Sequence, residues 1–185
     1  METTRLSARP LKVGVIGHRR IVDRARLRAL IDEVFDELGD SELAVWSSLA
    51  EGADRIGAEA ALDRDVPLHA VLPMPAEDYE RDFPDTAGAF HDLLARATTV
   101  RVVELAANRN EAYLEAGLQV LASTDVLLVA WNGEAAAGKG GTADVVDQAR
   151  RCDHPMVWIR AANGKDHPAM PGPDITYERM DAVDR

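Results

Sequence analysis

Three stretches of this chain carry the residue types best suited to chemistry: Gly17-His18-Arg19, Glu51-Gly52-Ala53-Asp54 and Gly138-Lys139-Gly140-Gly141-Thr142. The third sets the theme. Glycines just ahead of a helix let backbone N–H groups come close to a ligand, and the helix start adds roughly half a positive charge, so this segment suits a phosphate or another anion. A tight glycine turn with no ligand is the duller alternative. Gly133, four intervening residues and Gly138-Lys139 satisfy most of a P-loop, but Gly140 stands where a Ser or Thr should hold magnesium, which argues against ATP hydrolysis. The first turn has Gly14 and Gly17 but lacks the third glycine of the dinucleotide fingerprint. The polar groups near these turns have two readings each. Arg19 and Arg109 either fork onto a phosphate or neutralise a carboxylate such as Glu51 or Asp54. His18 either contacts phosphate or base, or packs as a neutral ring. Asp54 and Glu51 either take ribose hydroxyls, or respectively cap a helix and bridge to an arginine. Lys139 is either solvated or reaches a phosphate. Tyr113 and Trp131 read as core rather than as adenine-stacking groups.

The elements that must position these groups follow from periodicity. Val126–Trp131 is an apolar run without alternation, as in a parallel strand covered on both faces, and Asn132-Gly133 ends it. Thr142 is the expected N-cap of the helix that follows. Upstream, Leu11–Ile16 reads as a strand and Leu27, Leu30, Ile31, Val34, Phe35 and Leu38 as a helix, with Asp23 as cap and Gly39 as stop. Leu43–Trp46 and Pro67–Leu72 are further strands, with a small-residue helix around Ile56 between them. Residues 76–98 read as a turn of helix, a break at Pro84 and a second helix; Val100–Leu105 is an interrupted edge strand. A helix over about 110–122 and a last strand at Met156–Ile159 complete the pattern. Strands alternating with helices give right-handed βαβ units. The expectation is a single doubly wound, Rossmann-like α/β domain over residues 11–160, with a mostly parallel sheet and helices on both faces. Residues 1–10 read as a loose N-terminal segment and 161–185, with Pro168, Pro171 and Pro173, as an extended tail that either wraps the domain or dangles. Ligands in such folds sit beyond the carboxyl ends of the strands. That rule gathers Gly17, His18, Arg19, Ser47, Glu51, Gly52, Asp54, Arg109, Asn132 and the 138–142 loop into one crevice.

The totals limit what such a crevice serves. With 185 residues, 46% of them apolar, the chain can bury one good core. Its net charge of −11, with 32 acidic against 21 basic residues, leads to an expectation of no nucleic-acid partner, because neutralising phosphates takes clustered Lys and Arg. A local basic pocket is compatible with that total. One cysteine, Cys152, rules out an internal disulfide and a cysteine-based zinc cluster, and the five histidines show no ligand spacing, so neither a metal nor a cofactor is expected. No apolar run approaches the ~20 residues that span a bilayer, which points to a cytoplasmic protein without a membrane partner.

Over residues ~11–160 the chain resembles the SLOG superfamily, the Rossmann-like group that includes DprA, the LOG phosphoribohydrolases and the ligand-sensing region of melastatin-type TRP channels. The resemblance rests on Gly17-His18-Arg19, Glu51-Gly52-Ala53-Asp54, Tyr79-Asp82-Phe83, Arg109-Tyr113-Gly117, and Ser123 through Trp131-Asn132-Gly133 into Gly138–Ala143. It looks nearest to bacterial stand-alone proteins similar to the TRP-channel sensor. It implies a binder of a nucleotide or an NAD-derived, ADP-ribose-like ligand, a homodimer as in LOG-type relatives, and a separate effector protein as a conceivable partner. The alternative is a nucleotide N-glycosidase. The LOG signature Pro-Gly-Gly-x-Gly-Thr-x-x-Glu falls on Ala137 through Val145, with Val145 at its catalytic glutamate. Cleavage through an oxocarbenium-like transition state needs a carboxylate against the ribose. Asp144 is one residue early, a turn of ~100° on a helix, which leaves Glu51 as the candidate acid.

Overall fold

The computed structural model describes residues 9–39, 42–104, 106–135 and 141–183. Seven strands form one sheet: β1 (Leu11–Gly17), β2 (Leu43–Ser47), β3 (Leu68–Leu72), β4 (Thr99–Val102), β5 (Val126–Trp131), β6 (Met156–Arg160) and β7 (Ile175–Glu178). Their order is β4-β3-β2-β1-β5-β6-β7, parallel except for β7, which runs antiparallel to β6. The helices are α1 (Arg24–Leu38), α2 (Ala53–Leu62), α3 (Ala76–Tyr79), α4 (Ala87–Arg96), α5 (Arg109–Ser123) and α6 (Thr142–Arg151), with two short 3₁₀ turns between α3 and α4. This is the doubly wound, mostly parallel α/β domain that the alternation of elements predicts. The winding reverses between β1 and β5, the crevice position of such sheets.

Each central strand is buried because helices cover both faces. Every residue of β5 is buried, as its unbroken apolar run requires. One core layer joins Val13, Val15, Ile31, Phe35, Ile56 and Phe90 beneath α1, α2 and α4. The other joins Ile16, Val120, Leu127, Val129, Val145 and Val146 beneath α5 and α6. At 25 cal/mol per Å² each large apolar side chain taken from water adds about 2 kcal/mol before entropy is subtracted. At the edge, all four residues of β4 are exposed, consistent with the polar interruptions in its sequence.

The helix signals act as expected in α1, where the Asp23 side chain accepts from the Arg26 amide and Gly39 follows the last turn. Asn108 caps α5 in the same way through the Glu111 amide. Two features depart from the sequence reading. The cap of α6 is Gly141 rather than Thr142, which is already the first helical residue; the Gly141 amide donates to the Asp144 carboxylate at 3.3 Å. The segment after Ala161, expected to wrap or dangle, wraps and also supplies a strand. Residues 163–170 fold over the β1 and β5 turns, with Gly164 N–H donating to Arg20 C=O at 2.8 Å and Met170 N–H to Asn132 C=O at 2.8 Å, before β7 pairs with β6. Of the N-terminal segment, residues 1–8 lie outside the described residues, and Arg9 pairs with Asp125. Among the described residues no helix is long and apolar enough to cross a membrane.

Candidate functional site

A cavity of about 570 Å³ opens at the β1/β5 switch point. Its wall comes from five places. The β1 turn gives Ile16–Arg20, the turn after β2 gives Ser48 and Ala50 with Asp54 of α2, and α3 gives Tyr79. Helix α5 gives Asn110, Tyr113, Ala116 and Gly117, and Gly141, Thr142 and Val145 come from the start of α6. Asn163 and His167 from the returning C-terminal segment complete it. The lining holds the guanidiniums of Arg19 and Arg20, beside the rings of His18 and His167, against one acidic side chain, Asp54, among the described residues. A chain with a net charge of −11 thus has a locally cationic hollow.

The β1 and β2 turns are locked together. At Gly52, φ is +84°, and a Cβ there would stand 2.3 Å from the His18 carbonyl oxygen. Gly17 has no room either, since a Cβ would lie 2.5 Å from the Ala130 carbonyl oxygen. Ser47 is buried and works inside the turn, donating to Asp54 C=O at 3.3 Å and accepting from Leu49 N–H at 3.1 Å. The Asp54 side chain is 3% exposed. Burial pushes its carboxyl up to about 7, against the pull of the Ser48 hydroxyl and the amides of Ala50, Gly17 and Ser48 that donate to it. Those four donors match the lone-pair sites of a carboxylate. Asp54 therefore ties β1, the β2 turn and α2 together and has no acceptor capacity left for a ribose hydroxyl.

His18 is anchored through Nε2, which lies 2.9 Å from the Asn132 side-chain oxygen and 3.0 Å from the Asn132 backbone nitrogen. Only one contact is a hydrogen bond in a given tautomer: a protonated Nε2 donates to the oxygen, and a bare Nε2 accepts from the N–H. Burial lowers the His18 pKa, although Asn132 and Glu134 oppose it, so the ring enters the site neutral near pH 7. Asn132 is 2% exposed; its amide donates to Glu134 at 2.9 Å, and Glu134 also meets His167 Nδ1 at 3.2 Å.

The structure thus brings Gly17, His18, Arg19, Asp54, Gly141 and Thr142 to one cavity. Ser47, Gly52 and Asn132 stand behind that wall and shape it. Glu51 and Arg109 do not line it. Glu51 accepts from the Thr86 hydroxyl. Arg109 donates to the Asp78 carbonyl at 2.9 Å and the Asp82 carboxylate at 2.8 Å, where Tyr113 also donates. For Arg109 the carboxylate-neutralising alternative is the one realised. Gly138, Lys139 and Gly140 lie outside the described residues. Sequence reasoning missed Asn110, Asn163 and His167, and favoured core over adenine stacking for Tyr113, which lines the cavity. Asn163 and His167 were beyond reach, because nothing local in a proline-rich segment announces that it folds back. Among the described residues no group of three or more His, Cys, Asp or Glu is placed to hold a metal ion.

No family model matches the chain, and no curated protein matches it in sequence. Solved structures match in fold. DNA processing protein A (DprA) from Streptococcus pneumoniae superposes with a TM-score of 0.59 at 18% identity over 81% of this chain, which spans 50% of that protein. DprA from Helicobacter pylori gives 0.59 at 16% identity, covering 86% of this chain and 69% of the other. The Moco carrier protein of Chlamydomonas reinhardtii gives 0.50 at 18%, covering 81% and 76%. At these identities the likeness is one of fold: the mostly parallel, Rossmann-like α/β sheet that the sequence predicts. One expectation is corrected. The Helicobacter pylori protein is described for its single-stranded DNA binding mode, so the claim of no nucleic-acid partner does not stand. Net charge sums over the whole surface, whereas a strand meets only the local field, and here the hollow is cationic.

Proposed function

We propose that the cavity binds a nucleotide or a related NAD-derived, ADP-ribose-like compound, with the chain acting as a binding module. The carrying observation is the lining itself: Arg19 and Arg20, with the rings of His18 and His167, meet the start of a ten-residue helix, where the lining's one acidic side chain among the described residues, Asp54, is already saturated and the Asp144 carboxylate is engaged by the Gly141 amide. In the first turn of α6 the Gly141 amide donates to the Asp144 carboxylate and the Asp144 amide to Gly141 C=O, so the amides of Thr142 and Ala143, which lack an acceptor within the helix, are the ones that with Arg19 and Arg20 suit phosphate oxygens. A volume of about 570 Å³ is in the range of small-ligand sites.

Binding is favoured over N-glycoside hydrolysis because the carboxylates are committed elsewhere. Glu51 faces Thr86, Asp54 is filled by Ser48 and three amides, and Val145 lines the cavity where the LOG signature has its glutamate. The module is read as a bacterial, cytoplasmic homodimer that passes its ligand state to a separate effector. Incubation with AMP, NAD and ADP-ribose is the test: a ligand-dependent rise in Tm with no freed base by chromatography is expected. Base release abolished by Glu51→Gln would establish the enzyme instead. A labelled single-stranded oligonucleotide belongs in the same panel, because its sugar-phosphate units present the same groups to the cavity.

A further inference from the structure

Tyr79 is 1% exposed, and among the described residues its hydroxyl has no hydrogen-bond partner, yet it lines the cavity. An unpaired buried hydroxyl costs on the order of 1–3 kcal/mol, and a phenylalanine would fill the same space without that cost. The ring cannot swing away to find a partner. It is packed edge-on against Phe83 at 4.9 Å and Phe90 at 5.6 Å between centroids, with Tyr113 at 6.1 Å. Every charged group near the hydroxyl is occupied. Asp82 accepts from Arg109 and Tyr113. Asp54 accepts from Ser48 and three amides. Arg19 donates to Asp82 C=O at 3.3 Å, and Arg55 donates to Leu49 C=O and to Thr86. Arg55 Nη2 is also buried without a partner, but it is a donor and could meet only the lone pairs of the phenol oxygen. The O–H proton still needs an acceptor.

Resting on the nucleotide reading of the cavity, we propose that Tyr79 is a specificity-determining residue whose hydroxyl donates to an uncharged oxygen or nitrogen in the nucleoside half of the ligand. A phosphate is the wrong acceptor here. The hydroxyl feels the Asp54 and Asp82 carboxyls and two cations, Arg19 and Arg55, that already donate to Asp82 C=O and to Leu49 C=O and Thr86, while Arg20 and the α6 start come from other parts of the wall. Burial, then Asp54, pushes the phenol pKa up, which keeps the proton on the oxygen at any physiological pH.

The test is Tyr79→Phe, an isosteric change that removes only the hydroxyl, read by calorimetric titration and thermal unfolding. The proposal expects affinity for AMP to fall about tenfold or more while the unliganded protein keeps or gains thermal stability. Affinity for inorganic pyrophosphate stays unchanged. Ribose 5-phosphate then identifies the acceptor: a parallel tenfold loss assigns the sugar, and a loss confined to AMP assigns the base. Equal AMP affinity in the two proteins overturns the proposal, as does a fall in Tm of the unliganded variant, which would mean a structural partner for the hydroxyl. If the wild type binds none of AMP, NAD or ADP-ribose, the nucleotide reading itself falls and this inference with it.

Discussion

The two rims of the cavity use glycine for opposite reasons. On the β1/β2 rim, Gly17 and Gly52 are compelled by the protein: a Cβ at either would press into a carbonyl oxygen at 2.5 or 2.3 Å. On the α6 rim, a Cβ added at Gly141 meets no described atom within 4 Å. One rim is a closed steric lock around a buried carboxyl; the other has space where the fold asks for none. A residue that the fold does not require, at a helix start facing a cationic hollow, is better explained by what approaches from outside.

Substitutions can break this contrast. The largest effect is expected from Gly52→Ala, where positive φ and the clash with His18 combine; a loss on the order of 3 kcal/mol should appear in urea unfolding. Next comes Asp54. Its folded-state value of about 7 exceeds the ~3.9 of an unfolded aspartate, so the folded protein binds the proton more tightly. The stability it contributes is fully present below the unfolded pKa and is lost as pH rises through the folded one. Urea midpoints measured from pH 5 to 8 should show this fall, and Asp54→Asn should remove that part of the slope. Gly141→Ala should change stability by no more than about 1 kcal/mol but weaken AMP binding several-fold, because the methyl enters the cavity. The smallest effect belongs to Glu51→Gln, which should leave AMP affinity unchanged in calorimetry. A large loss there would move the site to the Thr86 side.

The layers were legible because the signals are local and repeated. The apolar run of β5, the 3.6-residue spacing of α1 and the cap at Asp23 act over a few neighbours. Strand β7 was not legible. Ile175–Glu178 is short and half-buried, and an antiparallel edge strand needs only one partner, so no long apolar run marks it. The site divides in the same way. Glycines and charged residues at strand ends pointed to the crevice, but which of them face inward depends on pairings far apart in sequence. Arg109 meets Asp82 across 27 residues and Glu51 meets Thr86 across 35, distances at which spacing carries no information. Tyr79 was visible as an aromatic, and only the geometry shows that its hydroxyl is unpaired.

The wall also has an order of arrival. Ile21 forms a β-bridge with Asn163, and Gly164 donates to Arg20, so the turn after β1 is finished by residues that follow β6. During synthesis the sheet can gather strand by strand, but the hollow has no complete boundary until residue 167 has emerged from the ribosome. A ligand held by this wall would therefore act after strands β1 to β6 have gathered, rather than as a seed around which they collect.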